Sequence, residues 1–190
     1  MNNFSSIFLI GFMGSGKSHW GKIWAERHQM IFVDLDEEIE KAFGMSVEEI
    51  FEKHGEEKFR ELERYHLKKH ENRKNLMISC GGGTPCFFDN LEWMKKNGEV
   101  VYLEANEQYI LKRVKDETAQ RPLLKEVNES ELLFFIQKKL KERKPFYEKA
   151  NYTLEVESLN EKSLDALLQS GKRFEKNIGI PKIKKNLGHA

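Results

Sequence analysis

The chain has 190 residues, 33% of them charged and 39% hydrophobic, and 32 basic residues nearly cancel 31 acidic ones to leave a net charge of +1. That balance excludes the strongly basic field of a dedicated nucleic-acid binder and the composition of a disordered acidic protein. With 11% aromatic residues a chain of this length can bury a real core unaided, so its two cysteines, Cys80 and Cys86, read as reduced thiols rather than a disulfide framework.

The first apolar run, Ile7 to Met13, is too short for a membrane span or a signal peptide. The expectation is a cytoplasmic protein with neither a membrane nor a nucleic acid as partner. Five short apolar runs follow in order, at residues 7–10, 31–33, 76–79, 100–103 and 152–156, and each is predicted to be a strand. Between them, charged stretches with apolar residues at helical spacing, such as Trp20, Ile23, Trp24 and Arg27, or Leu132, Phe135, Ile136 and Leu140, predict helices. Alternating strands and helices imply an α/β fold around a parallel sheet. Residues 1–175 are read as one domain, in which residues 115–130 form a long irregular stretch carrying Arg121 and Pro122. The last segment, residues 176–190, holds four lysines and no acid, which leaves the first 175 residues with a net charge of −3. It is read as a solvated tail, with an anion-binding or partner-binding arm as the alternative.

Directly after the first strand, Gly11 to Ser18 read GFMGSGKS, a phosphate-binding loop leading into a helix. Its glycines let the backbone curl so that N–H groups, including those of Gly14, Ser15 and Gly16, point at phosphate oxygens. Lys17 is expected to reach the β and γ phosphates, and Ser18 to place its hydroxyl on a magnesium ion. The loop alone leaves kinase, GTPase, motor and nucleotide switch open. No Asn-Lys-x-Asp or Thr-Lys-x-Asp guanine motif occurs, and there is no room for a motor's second domain, so a small phosphotransferase leads.

The second strand ends in VDLD, with Asp34 and Asp36 at the carboxyl edge of the sheet, where open α/β folds bind ligands. Asp34 is expected to hold magnesium through water. Asp36 either accepts the proton of an attacking hydroxyl or caps the acidic turn that follows. In the helical stretch EEKFRELERYHLKKH, Arg60 and Glu63 are three residues apart and share a face. A surface ion pair is the plain reading. Arginine is scarce, eight against 24 lysines, and its planar fork suits a carboxylate, so Arg60 is read as an anion anchor that Glu63 orients. The third strand ends in ISCGGGTP, where successive glycines allow close backbone approach to a ligand and Ser79 is placed to hold a magnesium-bound water. Arg121 belongs to a candidate lid, Arg113 to a helix from which it could stack on a base, and Arg143 precedes the fifth strand.

Taken together, GFMGSGKS, VDLD, FRELE, ISCGGGTP, RPLL and the R-x-x-x-Y of Arg143 to Tyr147 resemble shikimate kinases, in order and spacing, over about residues 5–170. The resemblance implies a nucleoside-monophosphate-kinase-like fold, a five-stranded parallel sheet ordered 2-3-1-4-5. It implies transfer of the γ-phosphate of ATP to the 3-hydroxyl of shikimate, on the route to chorismate and the aromatic amino acids, with Mg2+ as cofactor and a monomer as the working unit. It makes Lys17, Asp36 and Arg121 catalytic, and gives the nucleotide to Gly14, Ser15, Gly16, Lys17, Ser18, Arg113 and Arg121. Shikimate falls to Asp36, Arg60, Gly82, Gly83 and Arg143 within an acceptor region of about residues 34–66, with Phe51 and Phe59 as an apolar wall or as ordinary core aromatics. Metal falls to Ser18 and, through water, Asp34. His19, the SLNEKS segment after the fifth strand and the basic tail depart from the pattern. Another small-molecule kinase of the same fold, acting on gluconate or a nucleoside monophosphate, is the nearest rival, and a non-catalytic ATP switch the more distant one.

Overall fold

The computed structural model describes residues 5–118, 128–169 and 183–185. Strand β1 (Ser6–Ile10) is buried at every position and occupies the middle of the sheet. Its alternate side chains serve two different cores. Ile7 and Leu9 join Trp24, Met77, Val101 and Ile110 on one face, while Phe8 and Ile10 join Leu35, Ile39, Leu67, Ile78 and Tyr102 on the other. A strand clothed on both faces has no solvent side, which is why its sequence is an unbroken apolar run. Complete burial of a residue such as Phe8 contributes about 2–3 kcal/mol.

β3 (Leu76–Ser79), equally buried, pairs in parallel with β1 and with β2 (Ile31–Asp34). On the other side β4 (Gly98–Glu104) pairs with β1, and β5 (Tyr152–Glu155) with β4. The parallel strands thus run in the order β2-β3-β1-β4-β5, as the resemblance implies. A sixth strand, β6 (Ile183–Lys185), runs antiparallel along β5, so the segment expected as a tail adds a short edge strand.

Helix α1 (Lys17–Arg27) follows the phosphate loop, α2 (Leu35–Phe43) follows β2, and α3 (Val47–Lys68) follows α2 after a short turn. A capping box starts α3: Ser46 Oγ accepts from the Glu49 backbone N–H, and Glu49 accepts from that of Ser46. At Gly55 the backbone leaves helical geometry, with φ 79° and ψ 171°, and splits α3 into two runs. Only glycine adopts that conformation readily. Helices α4 (Asn90–Asn97), α5 (Glu107–Thr118), α6 (Glu129–Tyr147) and α7 (Asp165–Gln169) complete the layers. Within the stretch predicted to be irregular at 115–130, α5 runs to Thr118 and Asn128 already caps α6, while residues 119–127 lie outside the described residues. Among the described residues no helix is long and apolar enough to cross a membrane.

Candidate active site

The loop after β1 closes at Gly16, whose φ of 82° is left-handed and turns the chain into α1. No side chain caps this helix, so the first N–H groups of α1 are left for an anion. Ser15 is fully buried and its Oγ has no hydrogen-bond partner among the described residues. Lys17 is 9% exposed and its Nζ donates to the Phe12 carbonyl at 2.9 Å, folding the ammonium back onto the loop that would cradle phosphate. Burial lowers its pKa, against the pull of Asp36 and Asp34. Helix α5 brings Arg113 to the same loop: a Cβ built on Gly14 would lie 3.4 Å from the Arg113 Cβ. The Arg113 Nε is buried and has no partner among the described residues.

Parallel pairing of β2 with β3 sets Asp34 beside Ser79, and both meet Ser18 from the loop. Ser18 Oγ donates to Asp34 Oδ2 at 2.5 Å and lies 3.1 Å from Ser79 Oγ. These are hard oxygen donors, the kind magnesium prefers, and they fit an ion held by one hydroxyl directly and a carboxylate through water. Among the described residues there is no group of three His, Cys, Asp or Glu that could hold a metal.

The capping alternative for Asp36 is settled by its neighbour. Asp34 is the N-cap of α2, its Oδ1 accepting from the backbone N–H of Asp36 at 3.2 Å and, more loosely, of Glu37. Asp36 is thereby left free to face the site, and its buried Oδ1 has no partner among the described residues. Burial first, then repulsion from Glu63 and Asp34, push its carboxyl up to about 6, with Lys17 pulling the other way.

Arg60, 6% exposed, projects from the second run of α3 toward the triple glycine. Its Nη1 donates to Glu63 Oε2 at 2.5 Å, and its Nε and Nη2 donate to Glu56 Oε1 at 3.1 and 2.8 Å. Glu63 is fully buried, and its other oxygen accepts from Thr84 Oγ1 at 2.5 Å, so both oxygens act as acceptors. Burial raises its pKa against the pull of Arg60. The glycines exist for closeness. A Cβ on Gly83 would stand 2.6 Å from the Arg60 guanidinium, and one on Gly81 would collide with Glu63 Oε1 and lie 3.0 Å from Asp36 Oδ1. Gly82 is approached by Arg143 Nη1, 3.3 Å from where its Cβ would be, and its carbonyl accepts from Tyr147 Oη at 2.5 Å. Helix α6 thus presents Arg143 and Tyr147 together to the loop that α3 reaches with Arg60.

Lys17, Ser18, Asp34, Asp36, Arg60, Gly82, Gly83, Arg113 and Arg143, with Gly14, Ser15 and Gly16, therefore surround one region at the carboxyl edge of the sheet. Arg121, and with it residues 119–127 of the expected lid, lies outside the described residues. His19 is exposed and packs edge-on against Trp20, away from the loop's chemistry. Phe51 and Phe59 are 4.7 Å apart and, with Phe87, ring the Arg60 guanidinium, whose central carbon is 4.5 Å from the Phe87 centroid. Both thiols are free, and burial pushes Cys86 up to about 11. Glu56, Thr84 and Phe87 were not anticipated as site residues; only Glu56 left a trace, its position four residues before Arg60. A separate cleft of about 920 Å³ between α5 and α6, lined by Glu104, Asn106, Lys141, Lys144 and Glu157 among others, includes none of these residues.

Comparison with known proteins bears directly on this arrangement. The model of the shikimate kinase family matches residues 13–171. A shikimate kinase from Phocaeicola vulgatus is 42% identical over 156 residues, covering 82% of this chain and 89% of its own. The crystal structure of the Bacteroides thetaiotaomicron shikimate kinase superposes with a TM-score of 0.79 at 39% identity, covering 87% of this chain and 96% of that one. A shikimate kinase from Acinetobacter baumannii in complex with shikimate gives 0.76 at 36% identity, covering 89% and 95%.

Proposed function

The chain belongs to the shikimate kinase family, and from that premise we propose how its residues divide the transfer of the ATP γ-phosphate to the 3-hydroxyl of shikimate. The family supplies the reaction, which yields ADP and shikimate 3-phosphate in aromatic amino acid biosynthesis. The observation that carries the assignment of roles is the convergence of Arg60 and Arg143 on a glycine loop whose other side meets Asp36.

The nucleotide phosphates take the uncapped first turn of α1 and the N–H groups of Gly14 to Ser18. Lys17 exchanges the Phe12 carbonyl for β and γ oxygens, which an ammonium with three donors does without strain. Arg113, already against Gly14, serves the nucleotide side of the site, and the role of a lid arginine over the phosphates is assigned to Arg121 from the sequence resemblance alone. Ser18 directly and Asp34 through water would hold magnesium, which when bound neutralises charge on the β and γ oxygens.

Shikimate enters with its carboxylate toward Arg60 and Arg143, and the close backbone of Gly82 and Gly83 leaves room for its ring. Asp36 then receives the 3-hydroxyl. Its unpartnered Oδ1 accepts that hydrogen bond, aligns the oxygen with phosphorus and draws off the proton as the bond to phosphorus forms. A carboxyl pushed up to about 6 is a better base than an exposed aspartate while still ionised at neutral pH. Positioning and charge do most of the work, as expected for phosphoryl transfer. We take the working unit to be a monomer, and two unpaired thiols fit the reducing cytoplasm.

ADP release measured against shikimate, gluconate and AMP tests the reading, with phosphorus NMR to identify the product. Stimulation by shikimate alone, with the 3-phosphate formed, is expected; comparable turnover with gluconate or AMP would overturn it.

A further inference from the structure

Arg60 is held by two carboxylates of different standing. Glu63 is fully buried, and both its oxygens are engaged, by Arg60 Nη1 and by Thr84 Oγ1. Leaving would strand a buried charge, so Glu63 stays. Glu56 has a side chain 55% exposed, and a single oxygen, Oε1, receives both Nε and Nη2. Water can replace that oxygen's partners at little cost.

The groups Glu56 occupies matter. Nε with its neighbouring Nη is the side-on fork through which an arginine takes a carboxylate in two parallel hydrogen bonds. The carboxylate of an acceptor therefore meets an arginine whose side-on fork is already filled by a carboxylate of the chain. Position in the helix adds a second observation. Glu56 is the first residue after Gly55, the non-helical break in α3, and nothing lies within 4 Å of where a Gly55 Cβ would be. The side chain that fills the fork thus comes directly after the break in its helix and is more than half exposed.

We propose that Glu56 is a displaceable internal counter-ion: it fills the Nε/Nη2 fork of Arg60 in the free protein, yields it to the acceptor's carboxylate, and so sets which acids the site admits. The proposal rests on Arg60 being the carboxylate anchor. Its logic is competition. Glu63 balances the charge of the guanidinium throughout, and between turnovers Glu56 satisfies N–H groups that Glu63 does not reach. Simple carboxylates must then outcompete a group of high local concentration using one contact alone. An acceptor that also reaches Asp36 and the glycine loop has further contacts to offset the exchange, so the tether penalises poor ligands more than the correct one.

Titration of the full chain with shikimate and with cyclohex-1-ene-1-carboxylate, followed by calorimetry, separates the possibilities in the wild type, E56Q, E56A and R60A. E56Q keeps the volume of an exposed side chain, and thermal melts check that each variant is folded. The expected result is that E56Q and E56A bind both ligands about threefold or more tightly than the wild type, with the larger gain for the simple carboxylate. The KM for shikimate falls with the Kd, and the effect lies there rather than in kcat. Unchanged or weaker binding in folded E56Q overturns the proposal, because a residue that merely props Arg60 would give that result. R60A is expected to lose affinity for both ligands; undiminished affinity in R60A would overturn the anchor assignment and the proposal with it.

Discussion

The guanidinium of Arg60 lies directly against the backbone of Gly83: a methyl group on that glycine would stand 2.6 Å from the central carbon and both terminal nitrogens. Arg60 cannot simply swing away, because Glu56 and Glu63 hold three of its N–H groups and Phe87 covers the guanidinium. Gly83→Ala should therefore move the anchor rather than unfold the chain. We expect the KM for shikimate to rise about tenfold while the KM for ATP moves less than about twofold. Initial-rate kinetics with each substrate varied in turn checks the split, and an equal rise in both values would remove Gly83 from the acceptor half of the site.

Arg60 and Lys17 should fail in different ways. Arg60→Ala removes charge-assisted hydrogen bonds made to the acceptor in its ground state, so KM for shikimate should rise about 10- to 100-fold. Lys17→Ala removes charge where it develops during transfer, and kcat should fall by at least about 10²-fold. Unchanged shikimate kinetics in Arg60→Ala would end the carboxylate assignment.

Asp36 links activity to stability through pH. Its carboxyl is raised from 3.8 to about 6, so the ionised form costs the fold stability. That cost is fully present above pH about 6 and disappears as the pH falls toward 4, where the folded and unfolded chains are both protonated. Asp36→Asn should abolish most turnover yet stabilise the ligand-free protein by about 1–3 kcal/mol at pH 8, the gain shrinking by pH 4.5. In the wild type, kcat/KM for shikimate should drop below pH about 6 as the base is protonated. Denaturant melts at the two pH values and a pH–rate profile are the measurements; a stability gain that grows on acidification would contradict the origin assigned to the shift.

Much of this was visible in the chain. The apolar runs located five strands to within two residues, because β1 and β3 are clothed on both faces and have no polar positions to disguise them. The phosphate loop declared itself because its spacing is the chemistry. Asp36 could be read either as base or as helix cap, since only the backbone shows that α2 begins at Leu35 and is capped by Asp34. Glu56 looked like any surface acid: an i, i+4 spacing to arginine is common on helices, and only the burial of Arg60 gives this one weight. The strand Ile183–Lys185 has no pattern of its own and owes its form to the edge of β5.

Among the described residues, Ser15 Oγ, Asp36 Oδ1 and Arg113 Nε are buried polar atoms without a hydrogen-bond partner, and all three belong to residues assigned to the nucleotide or the acceptor. A polar interior left incomplete in this way makes the ligand-free chain the least robust of its own forms. Ligands that complete these atoms bind the folded chain and not the unfolded one, so the protein is expected to melt at a higher temperature with ATP and shikimate bound than without them.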